Sequence, residues 1–428
     1  MNIRNFNEVK SIFFDNKTLK QTVFKNTFWL AIAEVVQKGV GFLVVIWLAR
    51  HFGPAIYGQW AFALSFVALF AIFADFGFGT LTVREIARDK SKTSQYIDNI
   101  VAMKLILGLI TLGLVALVIQ FLGKETQVVK LVYFLGIYAV VSTFSSFFQS
   151  IFRANEKMQY ETICRAIQSL SLLGLVAFFI LNKGSILTIS YAYIGAALIG
   201  AIISLGAIWR YFSKFFLKID FKICREILKE AWPFALSGLI VIAYLRIGII
   251  FLSLIKTDQA VGWYNAAFNL MLAFTVVPQL FMLSVYPRLS IFFKESVPRF
   301  KELYKKCLKF IFFISIVLFP LLFILARPII SFLYGPSYQE TIVAFKIVLW
   351  VGFFSFLSCV FLYTLNAMNR QIIYTKVTSI CLGVNLILCL ILIPTYSYIG
   401  LSIGAVITEF LETSLLFLSV KRTFTTFI

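Results

Sequence analysis

The sequence predicts an all-α polytopic membrane protein with twelve transmembrane helices. Three observations support this fold class: twelve long apolar runs, a composition that is 61% hydrophobic and only 14% charged, and a bias in where basic residues fall. A soluble domain carries about 25% charged residues. At about 1.5 Å per residue, each run is long enough to cross a hydrocarbon core about 30 Å thick. The runs cover residues 27–49, 59–80, 97–122, 128–152, 162–182, 186–209, 232–255, 261–286, 308–326, 341–365, 375–393 and 398–420.

The distribution of Lys and Arg predicts which loops face the cytoplasm. With a cytoplasmic N-terminus, the cytoplasmic segments and their borders hold 29 of the 39 basic residues, the opposite loops hold 6, and the other four lie inside runs. This bias follows the positive-inside rule and places both termini inside. The net charge of +20 is then explained by basic residues that border anionic lipid headgroups, and no nucleic-acid partner is expected. The predicted cytoplasmic loops are 84–96, 153–161, 210–231, 287–307 and 366–374.

The basic linker at the middle of the chain suggests two six-helix halves. Residues 58–63 (GQWAFA) resemble 262–267 (GWYNAA) at an offset of 204, and residues 153–157 (RANEK) resemble 366–370 (NAMNR) at an offset of 213. Six helices per half give both halves the same orientation, as in transporters with parallel repeats. The predicted parts are a cytoplasmic segment 1–26 with an interfacial amphipathic helix over 9–24, an N-terminal lobe 27–209, a linker 210–231, a C-terminal lobe 232–420 and a cytoplasmic tail 421–428.

Polar residues within the first run share one helix face. Glu34, Gln37, Lys38 and Gly41 are spaced i, i+3, i+4 and i+7. Either Glu34 and Lys38 neutralise each other inside a packed interface, or the face lines a water-filled cavity, which Gln37 would widen.

Charged residues in runs seven and twelve raise similar alternatives. Arg246 has no acidic residue within one turn, so it needs either a carboxylate from another helix or an anionic substrate, and guanidinium suits phosphate. Glu409 and Glu412 are neighbours at i and i+3. They serve either proton or cation coupling or a salt bridge, with Arg246 as the expected partner.

Other intramembrane polar residues have weaker signals. Asp75, near the end of run two, either couples ions, pairs with Arg84 or Arg88, or caps a broken helix. Asn265 and Asn269 in run eight predict cavity-lining amides or interhelical hydrogen bonds. Two lysines within two turns of span ends are expected to extend to the interface, Lys104 and Lys346.

Enzyme and metal motifs are absent from the sequence. It contains no Walker A pattern, no HExxH and no Gly-rich dinucleotide fingerprint. Its six cysteines form no CxxC pair, and His51 is its only histidine, so neither a structural zinc site nor a disulfide framework is expected. Ion-driven transport without a cofactor, coupled to H⁺ or Na⁺, is the function that the pattern favours.

Two motifs resemble the O-antigen (Wzx-type) oligosaccharide flippases of the MOP exporter superfamily. They are residues 48–58 (LARHFGPAIYG) together with 74–79 (ADFGFG), and residues 333–338 (LYGPSY). The resemblance implies two six-helix lobes around a central cavity in a bacterial cytoplasmic membrane. It also implies a polyprenyl-pyrophosphate-linked oligosaccharide as substrate, and polymerase and chain-length proteins of the same pathway as partners. Arg246 and Lys38 would then hold the pyrophosphate, while Glu34, Asp75, Glu409 and Glu412 would be cavity or coupling acids.

Other functions remain open at this point. A lipid II flippase typically has two further C-terminal helices, and a MATE-type drug or cation antiporter would favour acidic and aromatic cavity walls. A membrane-embedded polymerase or ligase would place arginine-rich segments in large external loops, whereas the external loops here are short. A scaffold without transport activity would not explain Arg246.

Overall fold

The computed structural model describes residues 19–211 and 219–426, and over these ranges the chain is almost entirely helical. Residues 9–18 of the amphipathic helix predicted over 9–24 lie outside the described residues. The helices are α1 (Leu19–Asp75), α2 (Phe78–Arg88), α3 (Thr93–Phe121), α4 (Thr126–Ala154), α5 (Met158–Leu181), α6 (Ile186–Tyr211), α7 (Phe221–Ile255), α8 (Asp258–Phe274), α9 (Val276–Glu295), α10 (Val297–Ile324), α11 (Ala326–Tyr334), α12 (Gln339–Ala367) and α13 (Gln371–Thr426), with 3₁₀ turns at Lys90–Lys92 and Pro336–Tyr338.

The described residues contain ten helical stretches that are long and apolar enough to cross a membrane. Two of these are long enough for two crossings, 64 and 55 residues, and each contains a sharp break. Within α1 the break is at Gly53, where φ is 76° and Pro54 follows; within α13 it is at Ser397, where φ is 53°. Proline removes a backbone donor and glycine tolerates positive φ, so the first break follows from the sequence. Counting each of the two stretches as two spans gives the predicted twelve.

Two predicted boundaries are wrong: the second span ends earlier than its apolar run, and a charged segment predicted as a loop is helical. Run two was predicted to extend to residue 80, but α1 ends at Asp75, and Phe76 and Gly77 turn the chain with φ of 49° and 72°. The predicted loop 287–307 is instead helical, with a single break at Ser296 between α9 and α10. Basic residues are good helix formers, so helices extend past the apolar run on which the prediction depends.

The described chain forms two compact units. The first unit comprises the residues up to Gly41 and Val67–Gly238, and the second comprises Phe42–Phe66 and the residues from Leu239 onward. In the first unit a core of large apolar side chains, including Phe78, Phe147 and Phe152, joins α2, α3, α4 and the start of α7. The predicted six-helix lobes 27–209 and 232–420 stay a prediction, because compact units reflect contacts and not sequence repeats.

Large apolar side chains also cover the outside of the helices. Phe121, Leu109, Ile324 and Phe332 are each more than 70% exposed. A water-soluble protein rarely shows apolar patches of this extent, whereas lipid-facing helices require them. Together with the apolar helices, this surface identifies a multi-pass membrane protein.

Candidate functional site

The polar face of α1 lies in the first unit, where Arg165 of α5 contacts it. The Arg165 guanidinium lies 2.7 Å from Glu34 Oε1 and donates a hydrogen bond of 2.9 Å to Gln37 Oε1. Lys38 Nζ is farther from Glu34, at 3.8 Å. Glu34 is therefore shared by two cations, and Arg165, which the sequence analysis did not single out, holds the polar face in place.

A buried carboxylate anchors Arg165 in turn. Glu161 is fully buried, with Arg153 Nη2 at 2.5 Å and Arg165 Nη1 at 3.5 Å. The i,i+4 spacing of Glu161 and Arg165 was a usable signal in the sequence. The contact between Arg165 and Glu34 could not be read from the sequence, because 131 residues separate the two positions.

Asp75 lies at the broken end of the second span, beside Lys104. The Lys104 ammonium donates to the Ala74 carbonyl oxygen at 3.0 Å and lies 3.4 Å from Asp75 Oδ1. Three aromatic rings surround it, with centroids 5.6–6.0 Å away: Phe78, Phe144 and Phe147. The ammonium thus completes the end of a helix and balances the carboxylate there.

This arrangement contradicts two expectations from the sequence. Lys104 is completely buried and does not extend to the interface. Asp75 pairs with Lys104 and not with Arg84 or Arg88, since Arg84 is bound by Glu85 at 2.7 Å and by Glu230. The structure agrees with one part of the hypothesis, which is that Asp75 lies at the end of a broken helix.

Arg246 lies in the second unit, on α7. Tyr57 and Tyr264 are close enough for their hydroxyls to interact with its charge. Both predicted amides converge on the same tyrosine: Asn265 Nδ2 donates to Tyr57 Oη at 2.8 Å and Asn269 Nδ2 at 3.3 Å. Asn265 Oδ1 is buried without a hydrogen-bond partner among the described residues.

The expected pairing of Arg246 with Glu409 or Glu412 is wrong. Within the described part of the chain, Arg246 makes no ion pair and no hydrogen bond. The two glutamates face a different set of partners on α7, α12 and α13. An arginine in an apolar helix without a carboxylate is a costly arrangement, so its positive charge is available to an anion.

Glu409 and Glu412 form a buried carboxylate pair without a cation partner among the described residues. Glu409 accepts hydrogen bonds from the hydroxyls of Tyr244 at 3.2 Å and Ser358 at 3.4 Å, and Glu412 accepts one from Thr378 at 2.7 Å. A small cavity of about 40 Å³ adjoins Glu409, and Asn385 lines it. Hydroxyl and carboxylate oxygens of this kind bind a proton or a small hard cation.

The two motifs that carry the family resemblance contact each other in the second unit. Tyr338 is buried and donates from its hydroxyl to the Ala49 carbonyl oxygen at 2.9 Å. Arg50 Nη1 donates to the Phe332 carbonyl oxygen at 2.9 Å. The motif residues therefore fix the bend between the first two spans onto α11 and the turn that follows it.

Two glycines from the similar segments form a reciprocal contact beside this bend. A Cβ on Gly58 would lie 1.8 Å from the Asp258 carbonyl oxygen, and a Cβ on Gly262 would lie 2.0 Å from the Pro54 carbonyl oxygen. An offset of 204 converts one contact into the other, because Gly58 then corresponds to Gly262 and Pro54 to Asp258. A local two-fold relationship between the two segments produces this pattern, and only glycine permits backbones to approach so closely.

Two known proteins match nearly the whole chain in sequence. A candidate O-antigen transporter of Escherichia coli (strain K12) is 22% identical to the chain, over 95% of this chain and 98% of its own length. The capsular polysaccharide biosynthesis protein CapF of Staphylococcus aureus is 25% identical, over 94% and 100%. Both relatives are matched over nearly their whole length.

Solved structures show the same fold. An inward-facing multidrug resistance MATE family transporter of the MOP superfamily superposes with a TM-score of 0.74 at 18% identity, over 93% of this chain and 98% of that one. The lipid II flippase MurJ, in an inward closed conformation, gives 0.73 at 17% identity, over 91% and 87%. These likenesses confirm the predicted all-α polytopic fold class.

The match to a sequence family extends well beyond the two motifs. It covers residues 23–293, and so includes the polar face of α1, the Lys104–Asp75 pair, Arg246 and the glycine contact. This span is more than half of the chain, which therefore belongs to the family described as polysaccharide biosynthesis protein.

Proposed function

We propose that this protein is a flippase that moves polyprenyl-pyrophosphate-linked oligosaccharides across the bacterial cytoplasmic membrane for surface polysaccharide synthesis. The observation that carries the proposal is Arg246, which has no ion pair within the described chain. Membership of a polysaccharide biosynthesis family supports it, and so does the similarity to relatives named for O-antigen transport and capsule synthesis.

The chemistry of the substrate fits the polar residues in each unit. A pyrophosphate presents several anionic oxygens, and guanidinium binds such oxygens with two parallel hydrogen bonds. Arg246 would hold the pyrophosphate in the second unit, within electrostatic range of Tyr57 and Tyr264. Lys38 is 37% exposed and offers a second cation in the first unit. Sugar hydroxyls both donate and accept, so Gln37 and Asn269 are suited to them.

A drug or cation antiporter is the less well supported alternative. Such a transporter needs accessible carboxylates to bind cations. The exposed acid Glu34 is already shared by Arg165 and Lys38. Glu409 and Glu412 are only 8% and 4% exposed, which leaves little surface for a drug-sized cation.

The buried glutamate pair is suited to coupling, and we propose that it binds H⁺ or Na⁺ during the transport cycle. Two carboxylates in contact with hydroxyls, without a fixed cation, change their net charge when an ion binds. The double variant Glu409→Gln and Glu412→Gln should therefore abolish the acceleration of transport by an ion gradient. The slow transport that occurs without a gradient should remain. Transport that still responds fully to the gradient in this double variant would show that the pair is only structural.

The function itself is tested in the source cell. Deletion of the gene should remove the surface polysaccharide and cause lipid-linked oligosaccharide to accumulate in the membrane, where external periodate cannot reach it. Expression of the intact chain should restore both. An unchanged surface glycan with increased drug sensitivity would instead favour the antiporter.

A further inference from the structure

A groove at one end of the second unit combines a basic rim with an aromatic floor. It lies between the first turns of α10 and the last turns of α13, and its volume is about 260 Å³. The residues that form it are Lys301, Lys305, Lys421, Tyr304, Phe417 and Phe424. The predicted topology places this end of the second unit on the cytoplasmic side of the membrane.

The floor of the groove is built from packed rings. The rings of Tyr304 and Phe424 have centroids 5.3 Å apart, and the rings of Phe361 and Phe417 are 5.7 Å apart. Lys301 Nζ lies 5.4 Å from the centroid of Phe424. This contact orients the ammonium over the floor, as cation–π contacts do.

The rim carries positive charge that the described chain leaves unbalanced. Lys301, Lys305 and Lys421 form no ion pair with a described residue, whereas the neighbouring Lys306 is bound by Glu302 at 2.7 Å. Tyr304 is 94% buried, yet its hydroxyl has no hydrogen-bond partner among the described residues. Three ammonium groups and one hydroxyl therefore border the groove without an acceptor among the described side chains.

We propose that the groove is a binding site for an anionic phospholipid of the phosphatidylglycerol type. The phosphodiester would lie among the three lysines and accept a hydrogen bond from Tyr304, and one acyl chain would cover Phe417 and Phe424. Basic pockets between helices on the cytoplasmic side are suited to anionic headgroups. A soluble anion would leave the aromatic floor uncovered, and a zwitterionic lipid would add a cation to a basic rim. The site is separate from Arg246, so the proposal does not depend on the flippase function.

The test measures phosphatidylglycerol that stays bound to the purified full-length chain after delipidation, by native mass spectrometry. Lys301→Gln, Lys305→Gln and Lys421→Gln combined should weaken this binding by about a hundredfold, because each lysine near an anionic headgroup contributes about fivefold. The matched control removes three lysines outside the groove: Lys222→Gln, Lys229→Gln and Lys309→Gln. It should bind phosphatidylglycerol as the wild type does.

A second variant separates a built site from general attraction between charges. Thr425→Trp fills the groove and keeps all three lysines, and it should also lose bound phosphatidylglycerol. The proposal is overturned if either groove variant retains the wild-type amount, if phosphatidylcholine binds equally well, or if a prenyl pyrophosphate binds the groove and phosphatidylglycerol does not.

Discussion

Alanine in place of Arg246 should abolish export of the surface polysaccharide while the amount of folded protein stays normal. Truncating one member of a buried, hydrogen-bonded charge pair costs roughly 2–5 kcal/mol, which corresponds to about 30-fold or more in binding. In this protein the other member would be the substrate pyrophosphate. Arg246→Lys should keep part of the activity, because the charge stays but the two-pronged geometry is lost. Export is measured as surface glycan at matched protein level.

If Arg246 had a purely structural role, the alanine variant would lose thermal stability. The substrate role predicts that stability is unchanged. Arg246 pairs with no described carboxylate, so alanine leaves no buried acid uncompensated, and the thermal stability of the purified protein should not fall. Arg299→Ala, at an exposed position, is the matched control and should export normally. Normal export by Arg246→Ala, or loss of export accompanied by loss of folded protein, would contradict the substrate role.

Alanine at Gly58 or Gly262 should be the most damaging small substitution in the chain. The added methyl group would lie within about 2 Å of a carbonyl oxygen in each case. The two segments would have to separate, and overpacking of this kind costs about 1–3 kcal/mol. Because the contact fastens the bend between the first two spans to α8, both thermal stability and transport should decrease.

The reciprocity of this contact sharpens the test. Gly58→Ala and Gly262→Ala should have similar effects, and the double variant should cost less than the sum, since one separation of the segments relieves both clashes. Gly113→Ala is the control, because no atom lies within 4 Å of a Cβ at this exposed helical glycine. It should be neutral or stabilising by up to about 1 kcal/mol. Strictly additive effects, or a Gly58→Ala variant as stable as Gly113→Ala, would contradict the local two-fold arrangement.

Hydropathy and charge bias predicted the fold well because the membrane imposes both. A span must be apolar for about 20 residues, and this signal can be read locally. The segments around Gly58 and Gly262 could also be matched by sequence, although their residues did not indicate that the two segments contact each other. Helix ends were predicted less well, since the basic helices around Ser296 do not differ in composition from basic loops.

The charged residues could be recognised in the sequence, but their partners could not be predicted. Glu34, Arg246 and the glutamates of the last span could be singled out because each is expensive in an apolar run. Their partners could not be assigned: Arg165 and Lys104 reach acids on other helices, 131 and 29 residues away. Only folding decides which polar residues become neighbours, and for Arg246 it brings tyrosines in place of the expected carboxylates.

The most direct test of the account is translocation in sealed proteoliposomes that contain only this protein and a fluorescent polyprenyl-pyrophosphate-linked oligosaccharide. Quenching by an external, membrane-impermeant reductant reports how much of the lipid has crossed. The account predicts that wild-type protein moves the lipid, that a proton or sodium gradient accelerates this movement, and that Arg246→Ala stops it. No movement by the wild type under either gradient, or equal movement by Arg246→Ala, would contradict it.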